Sequence, residues 1–157
     1  SEAVQLFVSC FVVYVECMNE KQLEELRDHL LVCALTRDSA RIWLLNSDET
    51  EPIKTITRIQ EQHRHVVTAQ EHHGHDTEIG EVAYFVEVAR ALALGSNVMM
   101  IGHGEGKANH MRRFVEHVSN HNVDLFKRIV AEENMNLPHM SSAQVMADAR
   151  RLWKSVA

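Results

Sequence analysis

Ser96-Asn97-Val98-Met99-Met100-Ile101-Gly102-His103-Gly104-Glu105-Gly106-Lys107 reads as an apolar run, then three glycines, then the start of a basic helix. Val98 to Ile101 are apolar at every position, which predicts a strand covered on both faces, as in a parallel sheet flanked by helices. The glycines stand at its C-terminal edge. In open α/β sheets ligands usually sit at that edge, because the loops diverge there and the next helix aims its N-terminal N–H groups outward.

Upstream of this junction, Glu78 to Leu94 predicts a helix with Ile79, Val82, Phe85, Val86, Ala89 and Ala93 on its inner face and Gly95 as its stop. Gln60 to Glu78 is polar and dense in histidine (His63, His65, His72, His73 and His75), and is expected to be a loop. Before it, Leu30–Leu35, Ala40–Leu45 and Ile53–Ile59 predict three consecutive hairpin-linked strands, separated by the polar turns 36–39 and 46–52. Downstream, the helix after Lys107 places Met111, Phe114, Val115 and Val118 inward, with Arg112 and Arg113 towards solvent or a partner. A short helix over 123–129, a short strand over 130–132 and a connection over 137–140 follow. Ser141-Ser142-Ala143-Gln144 fits the capping-box pattern and opens a last helix with Val145, Ala149, Leu152 and Val156 facing inward.

The order from Leu30 is β-β-β-α-β-α-β-α. It predicts an α/β fold of ribonuclease H-like layout, a mixed sheet of about five strands flanked by helices. At the N-terminus, Val4 to Val15 is rich in β-branched and aromatic residues and predicts an extra strand. Asn19 is placed to cap a helix over 20–29. Residues 1–29 are expected to be a link to another domain or its remnant, and 30–157 the α/β domain itself. Left exposed, so apolar a strand would seek a second copy of the chain.

With 157 residues and 45% hydrophobic content the chain can bury a single core. Its net charge is −6, from Lys+Arg 16 against Asp+Glu 22, so any RNA contact must come from a local patch rather than a chain-wide field. Cys10, Cys17 and Cys33 are an odd set without CxxC spacing, which fits buried thiols in a reducing cytoplasm. No apolar run reaches the roughly 18 to 20 residues that cross a bilayer, so no membrane partner is expected.

The glycine stretch does not make a nucleotide P-loop. Three residues, not four, separate Gly102 from Gly106, and Ala108 stands where Ser or Thr would hold Mg²⁺. What stays open is a plain tight turn, or a phosphate or RNA-backbone contact through Gly104, Gly106 and Lys107. His72-His73-Gly74-His75-Asp76 has poor spacing for a structural metal site; adventitious surface binding of a metal is the stronger expectation, and a solvated loop that touches a polyanion when partly protonated stands between the two. A two-metal nuclease needs acidic residues at strand ends, where this chain has Ala34 and Leu35. No G-x-S-x-G elbow is present, so the sequence predicts no catalytic residue, no metal and no cofactor.

From Leu30 to Trp153 the pattern resembles the middle domain of the archaeal and eukaryotic peptide-chain release factors, and more closely their bacterial relatives, which include ribosome-hibernation factors of the Balon type. The residues that carry this resemblance are Val32-Cys33-Ala34-Leu35-Thr36-Arg37-Asp38-Ser39-Ala40-Arg41-Ile42-Trp43, then His72-His73-Gly74-His75, then Val98 to Lys107. In release factors the loop between the third strand and the first helix carries Gly-Gly-Gln, whose glutamine promotes attack of water on peptidyl-tRNA. Here the equivalent stretch is Gln70-Glu71-His72-His73-Gly74-His75-Asp76-Thr77, and Gly-Gly-Gln is absent. The resemblance therefore implies a cytoplasmic domain that occupies the ribosome or tRNA without hydrolysing the ester. Its RNA contacts would come from His72, His73, Gly74, His75, Gly104, Gly106, Lys107, Arg112 and Arg113. The rival expectation is a protein-interaction module, dimeric through the N-terminal strand and without RNA contact.

Overall fold

The computed structural model describes residues 20–59 and 73–156. The elements run α1 (Glu20–Leu26), β1 (Leu30–Leu35), β2 (Ser39–Leu44), β3 (Lys54–Thr57), α2 (His73–Leu92), β4 (Asn97–Gly102), α3 (His110–His121), α4 (Val123–Arg128), β5 (Ile129–Asn134) and α5 (Ser142–Val156). Single 3₁₀ turns lie at Gly106–Ala108 and Leu137–His139. The strand expected over Val4 to Val15 lies outside the described residues, as do Asn19 and His72.

Among the described residues the strands form one five-stranded sheet in the order β3-β2-β1-β4-β5. β2 is antiparallel to both its neighbours, while β1, β4 and β5 are mutually parallel. This is the mixed α/β arrangement of ribonuclease H-like layout that the element order predicts.

β1 and β4 are the central strands, and their uninterrupted apolar runs follow from being covered twice. Leu31, Cys33, Leu35, Val98 and Met100 face one layer, where they meet Leu26, Tyr84, Phe85, Val88, Leu92, Met111, Phe114, Val118 and Leu125 from α1 to α4. Val32, Ala34, Met99 and Ile101 face the other, against Leu137 and Val145, Met146 and Ala149 of α5. Each fully buried Leu, Met or Phe in these layers contributes roughly 1.5–3 kcal/mol. At the sheet edge β5 alternates half-buried with exposed residues, so its IVAEEN sequence carries acids that a central strand would exclude.

Several boundaries and faces differ from the sequence reading. α2 begins at His73, so His73-Gly74-His75 are its first turn rather than part of a loop. Ile79, Val82 and Val86 are 51%, 47% and 37% exposed. Phe85 and Ala89 pack inward as read, but their companions against the sheet are Tyr84, Val88 and Leu92, with Glu81 beside them. A helix apolar on nearly every side has no readable phase, and the shape of the layer beneath chooses it. In α5, Val156 is exposed and Met146 is buried. α1 stops at Leu26 because Asp28 takes a left-handed conformation (φ 61°) and its N–H donates to Leu94 O at 2.9 Å.

Arginines tie the periphery together. Arg128 donates to Ala93 O at 2.9 Å and Gly95 O at 2.5 Å, satisfying carbonyls just past the end of α2. Arg150 of α5 donates to Ser47 O and, at 3.3 Å, to Glu49 O, fixing the turn after β2. The α5 capping box forms as read: Ser141 N–H donates to Gln144 Oε1 at 2.8 Å, and Gln144 N–H to Ser141 Oγ at 3.2 Å. Among the described residues no helix is long and apolar enough to cross a membrane.

Candidate nucleic-acid interface

At the carboxyl end of β4 the chain must leave the sheet and enter α3 within a few residues. Gly102 makes this possible by close approach: a Cβ there would lie 2.6 Å from Met111 Cβ and 2.7 Å from Asn109 Oδ1. Gly104 then turns the chain at φ +93°, a conformation that favours glycine.

Asn109, which is 0% exposed, organises the loop. Its Oδ1 accepts from Arg112 N–H at 3.1 Å and so caps α3. Its Nδ2 donates to Gly104 O at 3.1 Å and to Asn134 Oδ1 at 2.7 Å. Asn134, on the last residue of β5, sends its own Nδ2 to Gly104 O at 3.3 Å. Because Arg112 N–H can only donate, the amide orientation of Asn109 is set by its partners. His103 adds a ring-nitrogen contact to Met135 O at 3.1 Å, and Met135 N–H donates to Gly102 O at 2.9 Å. The loop is thus held from inside, and residues 105–108 are presented to solvent. Among the described residues, the N–H groups of Gly104 to Lys107 donate to no backbone carbonyl.

The topology brings the other candidate residues to this same edge. α2 has 20 residues and β4 six, so at 1.5 Å and 3.3 Å per residue the helix runs about 30 Å beside a strand of about 20 Å. The lower end of α2 is anchored by the turn into β4. Higher up, Gly80 lies against the Arg58 guanidinium just past β3. His73 stands seven residues nearer the helix start, about 10 Å along the axis from Gly80 and towards that same end. His73, Gly74, His75, Gly104, Gly106, Lys107 and Arg112 therefore share one end of the molecule. Arg37 and Asp38 in the β1–β2 turn are exposed there too. That turn is closed by Thr36 Oγ1, which accepts from Asp38 and Ser39 N–H at 3.3 Å each, and by Tyr84 Oη, which donates to Thr36 O at 3.0 Å.

Arg113 is placed differently from its neighbour. Arg112 is exposed, whereas Arg113 donates through Nε and Nη2 to the two carboxylate oxygens of Glu81 at 2.8 and 2.5 Å. Glu81 is 8% exposed, and His110 Nε2 lies 4.0 Å from the same carboxylate. The pair fastens α3 to α2 and ties Arg113, whose side chain remains 41% exposed, to that helix. The sequence reading also missed Asn109, Asn134 and His103. An Asn immediately before a basic amphipathic run was a readable capping signal, but its two further bonds depend on β5 being adjacent.

Among the described residues, burial shifts the titrations of three groups. The Cys33 thiol is pushed far up by desolvation, with Arg41 opposing weakly, so it stays protonated and unreactive. The Tyr84 hydroxyl is likewise raised, first by burial and then by the nearby acidic groups. His117 on α3 is lowered by burial and by His121, against a raising influence from Glu81.

No family model and no curated protein matches the sequence. Among solved structures, the chain is similar to the crystal structure of the Thermoplasma acidophilum Pelota protein, at a TM-score of 0.44 and 14% identity. The alignment covers 84% of this chain and 40% of that one.

Proposed function

We propose that this is a non-catalytic, translation-associated RNA-binding domain of release-factor type, which seats its carboxyl edge on ribosomal or transfer RNA in the cytoplasm. The observation that carries the reading is the Asn109–Asn134 clamp. It holds a glycine loop whose N–H groups at 105–107 lie in an exposed turn and, among the described residues, donate to no backbone carbonyl, next to exposed Lys107 and Arg112. Such N–H groups and cations bind phosphate oxygens and set register without reading bases. The acidic chain as a whole gives no general attraction, so recognition would be confined to this edge. The non-catalytic part rests on the missing Gly-Gly-Gln and on apolar Ala34 and Leu35 where a metal-dependent nuclease would place acids.

Co-sedimentation with ribosomes from starved cells, together with fluorescence anisotropy on tRNA, tests this. Lys107→Glu and Arg112→Glu should each weaken binding and flatten its salt dependence. Protein that stays out of every ribosomal fraction and binds no RNA at low salt would overturn it. A second reading, a protein-interaction module, is favoured by the exposed Ile79, Val82 and Val86 along α2. Light scattering of the wild type against Val82→Lys decides it, since a monomer in both cases removes self-association.

A further inference from the structure

We propose that His117 and His121 form a clamp for a divalent transition-metal ion of zinc's class, at the end of α3 remote from the glycine loop. The two residues are one helical turn apart, a spacing that brings their Cβ atoms to about 5–6 Å and lets two imidazoles share one ion. Their rings already touch, with centroids 4.5 Å apart and planes inclined by 39°. His117 is further held by Phe85 of α2, at 5.6 Å between centroids. Phe85 in turn packs edge-on against Phe114 at 5.5 Å, so one ligand of the pair is seated on the core itself.

The backbone beneath is equally fixed. Met111, Phe114, Val115 and Val118 bury the adjoining face of α3, and Asn122 N–H closes the helix end on Val118 O at 2.8 Å. A rigid helix face is a better base for a metal site than a loop, because ligand positions vary little. Imidazole pairs select zinc, nickel or copper over magnesium and calcium, which prefer oxygen. Among the described residues no third His, Cys, Asp or Glu joins the pair to make a larger cluster. The ion would therefore keep open positions for water or for a ligand brought by a partner.

Zinc titration of the full chain by calorimetry tests this, using a background in which His63, His65, His72, His73 and His75 are all changed to Gln. One Zn²⁺ per chain should bind in that background. His121→Gln and His117→Gln, each added singly, should weaken it by about tenfold or more. Zinc should also raise the melting temperature of the background but not of the His121→Gln form, whose zinc-free melting should be unchanged because that side chain is exposed. Loss of all zinc binding in the five-histidine background would overturn the proposal. So would binding there that neither His117→Gln nor His121→Gln weakens.

Discussion

Replacing Asn109 separates the two jobs its side chain performs. Asn109→Ala removes the α3 cap, worth about 1 kcal/mol, and both hydrogen bonds from Nδ2, worth about 1 kcal/mol each. The expected loss is about 3 kcal/mol. Asn109→Asp distinguishes the contributions. A carboxylate is as good an N-cap and favours the positive end of the helix, so on capping alone it would be neutral or stabilising. The same carboxylate, however, faces the Gly104 carbonyl and the Asn134 amide oxygen in a site that is 0% exposed. With no donor to offer either oxygen, and its charge buried, Asn109→Asp should lose at least about 2 kcal/mol despite keeping the cap. Urea unfolding followed by tryptophan fluorescence and far-ultraviolet circular dichroism gives both values. If Asn109→Asp unfolds within about 0.5 kcal/mol of the wild type at neutral pH, the cap alone matters and the loop is not held by Asn109.

Further outcomes follow from the same contacts. Glu81→Gln leaves the Arg113 guanidinium without its bidentate partner; because Arg113 is partly solvated, the expected loss is about 2 kcal/mol by denaturant unfolding rather than the larger cost of a fully buried break. Asp28→Gly relieves a left-handed backbone at the end of α1 and should raise stability by about 0.5–1 kcal/mol in the same assay. His117 has a lowered folded-state value, so the unfolded chain takes up its proton first. Its contribution should make stability fall as pH drops from about 7 through the ordinary histidine range, and His117→Phe should remove that part of the slope. Cys33 should resist alkylation in the native protein and react only on unfolding, which peptide mapping by mass spectrometry would show.

Residues with one dominant environment were readable along the chain. β1 was legible at both ends because Leu30 to Leu35 are apolar without interruption, and only a doubly covered strand tolerates that. The buried face of α3 and the capping box of α5 were legible because charged and apolar residues there separate cleanly by helical position. α2 was not, because Ile79, Val82 and Val86 compete with Tyr84, Phe85 and Val88 for the inner face. Its first turn was also hidden by polar composition, although Asp76 is the type of residue that favours a helix start.

From sequence alone came the alternation of strands and helices and the junction at Gly102, since hydrophobic period and glycine placement are local properties of the chain. The tertiary structure decided what that junction is made of. Asn109 meets Asn134 only because β5 lies beside β4, and Arg113 meets Glu81 only because packing turned one side of α2 towards α3. Hydrogen bonds between residues 25 and 32 positions apart depend on helix phase and strand order. Both are settled by how the layers fill space, which no single segment encodes.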